Sequence, residues 1–420
     1  MGKKNGLRYI FLMVFGAILF YAGISTVTCG ANSAPDHVML TWTGDPATTE
    51  TITWRTAGTE AAGRVEYVEM GAEKSFSRNA KVALAKVTIL ATNLGDQSIH
   101  SATLTQLNPG TRYQYRVGDE TGWSEPRTFT TAVANSQQFS FIIFGDSQST
   151  NYNVWRTTLQ AAYQANPDAS FMINMGDLTD VGQDYAQWNA WFTAARGVID
   201  NIPIMPVVGN HETYTPTGQF SKPTFFTAQF KLPSNGPAGL RGQVYSFDYG
   251  DVHFSVLDSQ DGEEGRFVPD MLAVQQAWLE KDLAASNKRW KVVLIHRPLY
   301  NNKLANDNVK IRKMFAAILD KYHVDVVFTA HEHVYARTYP LYGGMAMKSA
   351  DKGTIYVATG RSGTKTYQDP VAKAGDKIFC NPLDEPNYLV AEVKGDMLMV
   401  RAFKKSGAII DAWSINKASQ

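Results

Sequence analysis

Asp146, Asp177, Asn210, His296, His331 and His333 are oxygen and imidazole donors, and each stands just after a short apolar run. FSFIIF stops at Gly145-Asp146, and ASFMIN leads to Gly176-Asp177 with Asp180 three residues further on. IPIMPVV ends in Gly209-Asn210-His211-Glu212, WKVVLI ends at His296-Arg297, and VDVVFTA runs into His331-Glu332-His333. Carboxylate, carboxamide and imidazole together suit a hard-to-borderline divalent ion such as Mn²⁺, Fe²⁺ or Zn²⁺. One Gly-Asp after a strand is ordinarily a turn, and one His-x-His is more often a satisfied pair than a ligand pair. Five such strand ends in succession are not independent accidents. Nothing in the sequence offers a rival nucleophile: Gly-x-Ser-x-Gly, a Cys-centred signature and a P-loop are all missing.

The apolar runs read as buried strands, and helix-like stretches fall between several of them at 153–165, 185–196, 270–285 and 308–322. That alternation predicts an α/β domain with a largely parallel sheet, whose ligands bind outside the carboxyl ends of the strands. A hairpin around Gly250-Asp251, a strand near Ile355 and a closing hairpin after Leu389 complete it. The aperiodic segment 213–243 directly follows Asn210-His211 and is expected to wall the site. Its Phe225, Phe226 and Phe230 either receive an organic leaving group or pack the loop. Upstream, 38–131 is strand and turn throughout. About seven strands in about 100 residues predict a β-sandwich. The expected division is a leader at 1–34, the sandwich at 35–132, a linker at 133–138 and the catalytic part at 139–416.

Composition narrows the classes. Forty Lys and Arg against 39 Asp and Glu give a net charge of +1, which argues against nucleic-acid binding by bulk attraction. Cys29 and Cys380 are the two cysteines, too few for a disulfide framework. Lys3, Lys4 and Arg8 precede an apolar run at 9–24 and then small residues, the pattern of a secretory signal. An uncleaved membrane anchor is the other reading, and both place the protein outside the cytoplasm, secreted or in the cell envelope.

The order GD, GD, GNHE, VxxH, HxH resembles that of the calcineurin-like metallophosphoesterases. The preceding sandwich, with Leu107-Asn108-Pro109-Gly110 before Tyr113 and with Trp54, resembles a fibronectin-III-like domain. The pair is similar to the purple acid phosphatases. That resemblance implies a four-layer αββα catalytic domain holding two metal ions, Fe, Mn or Zn, and a small phosphate ester as substrate. It implies that Asp177 bridges the ions, that Asp146 and His333 hold the first, and that Asn210, His296 and His331 hold the second. His211 would contact phosphate with Asn210, and Glu212 would orient ligands. His211 and Asp177 are the expected catalytic residues. Arg297 and Arg361 are further candidates for phosphate contact. Two ions roughly 3.5–4 Å apart clamp the attacking and leaving oxygens and activate water for in-line displacement. Three departures stand out. Asp180 stands in place of the family's tyrosinate, either as a harder oxygen ligand of the first metal or with water filling the gap, so no tyrosinate-iron chromophore is expected. Gln148 replaces the histidine of other metallophosphoesterases. Leu304, Ala305 and Asn306 stand where plant-type relatives carry leaving-group acids. Hydrolysis of phosphate monoesters is the leading expectation; a phosphodiesterase and a catalytically impaired envelope binding protein are the alternatives.

Overall fold

The computed structural model describes Gly2 and residues 34–59, 62–71, 76–303 and 308–417. Apart from Gly2 and Ala34, the expected leader lies outside the described residues, as do Leu304, Ala305 and Asn306. Among the described residues no helix is long and apolar enough to cross a membrane.

The upstream part is built from two antiparallel sheets. One runs Asp36–Thr41, Glu50–Ala57, Gln97–Leu104, Lys86–Leu90; the other runs Lys81–Leu84, Arg64–Glu69, Arg112–Asp119, Gly122–Trp123, with Arg127–Thr130 also on Arg112–Asp119. Their alternating inward residues, among them Leu40, Ile52, Trp54, Val65, Tyr115 and Phe129, form one core. The Tyr113 hydroxyl accepts from the Asn108 backbone N–H at 2.9 Å, tying down the turn at 107–110. The alternating run at 81–90 splits at Ala85 and crosses from one sheet to the other. Its residues are mostly exposed, so burial does not hold it to one sheet.

This part is docked intimately on the downstream one. Trp42 is buried and its ring lies 5.4 Å from both Phe171 and Tyr249, inside the main core of the downstream part. The Tyr115 hydroxyl donates to Asp200 O, and the Arg127 guanidinium pairs with the Asp200 carboxylate. Truncating a buried tryptophan costs about 3–5 kcal/mol, so the two parts share stability as well as surface.

The downstream part departs from a single parallel sheet. One sheet orders Ile204–Pro206, Phe171–Asn174, Gln138–Phe144, Asn387–Lys394, Met397–Lys404 and Ile409–Asn416. The other orders Tyr245–Tyr249, Val252–Leu257, Trp290–Ile295, Val326–Thr329, Ile355–Thr359, Tyr335–Thr338 and Asp376–Cys380. Strands joined by crossovers pair parallel; strands joined by tight hairpins pair antiparallel and extend each sheet. Phe141 and Phe171 of the first sheet meet Phe254 of the second at 5.4 and 5.7 Å, so the sheets face each other across an aromatic core. The four expected helices form at Tyr152–Ala165, Tyr185–Ala195, Met271–Ala285 and Val309–Lys321. Asn151 and Asp184 cap the first two through their side chains. Leu272, Leu279 and Leu283 pack with Phe315 and Leu319 against Val293 and Val327 of the second sheet.

Candidate metal centre

Strand ends from both sheets converge on one point. Gln138–Phe144 delivers Asp146, Phe171–Asn174 delivers Asp177, and Ile204–Pro206 delivers Asn210. Trp290–Ile295 delivers His296, and Val326–Thr329 delivers His331 and His333. Two donor groups result, Asp146 with Asp177 and His333, and Asp177 with His296 and His331, and within each group the donor atoms lie within 4.8 Å of one another. Asn210 joins the second, its Oδ1 3.2 Å from His296 Nε2. Asp177 belongs to both.

The backbone is bent to make this possible. Asp146, Asp177, His331 and His333 all have positive φ, between 24° and 71°, a conformation costing about 1–3 kcal/mol per non-glycine residue. Glycines give the room: a Cβ on Gly209 would lie 2.2 Å from Asp177 Oδ1, and one on Gly176 2.7 Å from His296 Nδ1. The carboxylate of Glu212 ties the loops together, accepting from the backbone N–H groups of Asp177, Leu178 and Gly209 at 2.7–2.9 Å. Glu332 does the same for the next loop, accepting from Asn302 and Lys303.

Each orienting hydrogen bond fixes a donor. His296 Nδ1 donates to Met175 O at 2.8 Å and His333 Nδ1 to Lys365 O at 2.7 Å, because a carbonyl oxygen can only accept. Both imidazoles therefore present Nε2 to the cluster, the arrangement of metal-ligating histidines. Asn210 Nδ2 donates to the Tyr214 hydroxyl, which holds Oδ1 inward. Ligand-type atoms crowd together: His296 Nε2 faces His331 Nδ1 and Asp177 Oδ2, both at 3.3 Å. The charges follow. Burial alone would raise the Asp177 carboxyl, yet His296 and His211 hold it well below the usual carboxylate range. Burial works against a charged His296, but Asp177 overrides it and lifts the imidazole to about 9. Burial and the charge on His296 push His331 well down. Buried carboxylate and imidazole ligand atoms facing one centre, where a cation would take the place of the His296 proton, fit a pair of divalent cations.

Not every candidate arrives. Asp180 is half exposed and stands at the rim, its Oδ1 3.2 Å from Lys365 Nζ and 3.4 Å from His211 Nδ1, outside both donor groups. Arg297 is held bidentately by Glu263 at 2.7 and 2.9 Å. Arg361 is buried and donates to the carbonyls of Gly363, Pro382 and Leu383, stapling a loop. Phe226 and Phe230 sit in the main core with Trp188 and Trp191, and Phe225 packs on Tyr185, so core packing was the right alternative for all three. His211 lies at the edge of the cluster, its N–H donating to Asp177 Oδ1 and its Nδ1 to Asp180 O.

The sequence reading missed Lys365, Tyr214 and Tyr367. Lys365 Nζ lies 3.0 Å from His211 Nε2; Tyr214 packs on His211 and Tyr367 on His333, ring centroids 4.5 and 4.6 Å apart. Lys365 and Tyr367 follow the strand Ile355–Thr359, and the strand-end rule that suggested Arg361 applied equally to them.

Comparison with known proteins agrees with this architecture. Residues 35–131 match the family model described as purple acid phosphatase, N-terminal domain, and residues 139–335 match that described as calcineurin-like phosphoesterase. The chain is a purple acid phosphatase-like member of the calcineurin-like metallophosphoesterases. It is 26% identical over 402 residues to acid phosphatase type 7 of Mus musculus, covering 85% of this chain and 86% of the relative. It is 27% identical over 415 residues to a protein of Arabidopsis thaliana named probable inactive purple acid phosphatase 27, covering 87% and 67%. In fold it is similar to a purple acid phosphatase from yellow lupin seeds, with a TM-score of 0.76 at 20% identity over 91% of this chain and 74% of the other.

Proposed function

We propose that this chain is an exported phosphohydrolase with a dinuclear metal centre that cleaves small phosphate monoesters. Its divisions would be a leader at 1–34, a fibronectin-III-like sandwich at 35–132, a linker at 133–138 and a four-layer αββα catalytic domain at 139–416. The observation that carries the reading is the pair of buried donor groups sharing Asp177. Asp146, Asp177 and His333 would hold one ion, and Asp177, Asn210, His296 and His331 the other, from among Fe, Mn and Zn. Such ions supply Lewis acidity toward phosphoryl oxygens and a water acidic enough to act as nucleophile near neutral pH.

The residues of the chain do the rest. Lys365 presents its ammonium at the open side of the cluster, 3.0 Å from His211 Nε2, so a phosphate dianion there finds a charged donor with the His211 ring beside it. The main-chain oxygen of Asp180 holds the His211 ring in place. Asp180 sits at the rim instead of a tyrosine, which supports a protein without a tyrosinate-iron band. Arg297 acts by holding Glu263, and Arg361 by holding its loop.

The test is a panel of aryl phosphates on metal-reconstituted protein. Turnover of monoesters well above bis-esters is expected; faster bis-ester cleavage would make it a phosphodiesterase. Full metal content without turnover of either would favour the binding-protein alternative.

A further inference from the structure

Gln148 lies two residues past Asp146 and is 1% exposed. Its Nε2 is 3.2 Å from His333 Nε2 and 3.4 Å from Asp177 Oδ2, two atoms of the first donor group. Its Oε1 is buried and has no hydrogen-bond partner. The backbone beneath is pinned: the Gln148 N–H donates to Asp177 O at 2.9 Å, and its carbonyl accepts from Thr364 N–H at 3.2 Å. Gly363 presses so close that a Cβ there would lie 2.1 Å from Gln148 O. The freedom left to the side chain is chiefly rotation about its last bond, which exchanges oxygen for nitrogen in the same place.

Without a cation, hydrogen bonding favours the orientation seen, in which Nε2 donates toward His333 Nε2 and Asp177 Oδ2; turning the amide sets its oxygen against those two acceptors. A cation between them reverses that choice. Four lone-pair atoms, on Asp146, Asp177, His333 and the turned Gln148, are mutually repulsive without positive charge between them and satisfied with it. The second donor group already shows the arrangement: Asn210 directs its Oδ1 inward while Tyr214 takes its Nδ2.

We propose that the carboxamide oxygen of Gln148 is a ligand of the first metal ion, alongside Asp146, Asp177 and His333. This rests on the dinuclear reading above and explains how the first site is completed without the tyrosinate or histidine of its relatives. A neutral amide oxygen is a weaker donor than either and harder than imidazole, so the first site favours Mn²⁺ and exchanges it more readily than the second.

Calorimetric titration with Mn²⁺, together with its electron paramagnetic resonance spectrum, tests the assignment. The substitutions are Gln148→Met, which keeps volume and removes the oxygen, and Gln148→Glu, which keeps the oxygen and adds charge. Wild type is expected to bind two Mn²⁺ with a spin-coupled spectrum. The Met variant should bind the weaker ion at least about tenfold less tightly, show an uncoupled spectrum at equal metal and leave the tighter ion unchanged. The Glu variant should bind the weaker ion as tightly as wild type or more so. A packing role predicts the reverse, a silent Met variant and a damaged Glu variant, and that result overturns the assignment. Wild type with fewer than two ions would overturn the dinuclear reading and this ligand together.

Discussion

The second sheet carries histidine–aspartate clusters at both ends, and they obey opposite rules. At the amino end of Val252–Leu257, His253 lies between two carboxylates, Nδ1 2.7 Å from Asp248 and Nε2 2.9 Å from Asp282. Asp282 also accepts from Ser246 and Ser255. Burial would lower the His253 pKa, but the hydrogen bonds to the two aspartates win and raise it to about 9. Every donor there has an acceptor, and the charges nearly cancel. At the carboxyl ends, where the first sheet supplies the aspartates, the same residue types crowd several ligand atoms toward one centre, on backbones held at positive φ. A satisfied histidine supports the fold, whereas one aimed at other acceptors waits for a cation. Residue type does not separate the two; the direction of the ring nitrogens does.

The strongest way to break that contrast is Asp177→Ala. Because this carboxylate serves both donor groups, metal content should fall toward zero and hydrolysis by on the order of a thousandfold or more, read by elemental analysis and steady-state kinetics. Retention of both ions would refute the shared role. Glu212→Gln comes next. Burial, then the neighbouring Asp177, raise the Glu212 pKa to about 8, yet three N–H groups hold it in place. Loosening those loops should weaken metal binding about 10- to 100-fold while the fold, followed by circular dichroism, persists.

Lys365→Met should act more gently, raising KM for a monoester about three- to tenfold with little change in metal content, since Lys365 faces the open rim. Equal KM values would remove Lys365 from phosphate binding. The smallest effect belongs to the other cluster. His253→Asn should leave hydrolysis intact and reduce stability by about 1–2 kcal/mol, discounted for the half-exposed Asp248. The pKa is raised on folding, so the stabilisation is complete below the ordinary value near 6.5 and fades as pH rises through about 9. Denaturant midpoints of wild type and variant should therefore converge at high pH; a gap that widens there would contradict the assignment.

Much of this was legible in the chain. Apolar runs ending in Asp, Asn or His announced both the strands and the donors they deliver, because a buried strand needs the one and a strand-end crevice exposes the other. The split at Ala85 was not legible, since alternation in 81–90 fits an edge strand of either sheet. Nor was the docking of Trp42: a tryptophan in a short strand looks the same whether it fills its own sandwich or a neighbour's core. Arg361 was misjudged and Lys365 missed for one reason. Both lie in the same post-strand loop, and only coordinates show which side chain turns toward His211 and which toward loop carbonyls.

Anomalous diffraction from crystals of the manganese-loaded protein addresses the central claim most directly. Two peaks are predicted, one bounded by Asp146, Asp177 and His333 and the other by Asp177, Asn210, His296 and His331. A single peak, or density away from Asp177, would contradict it.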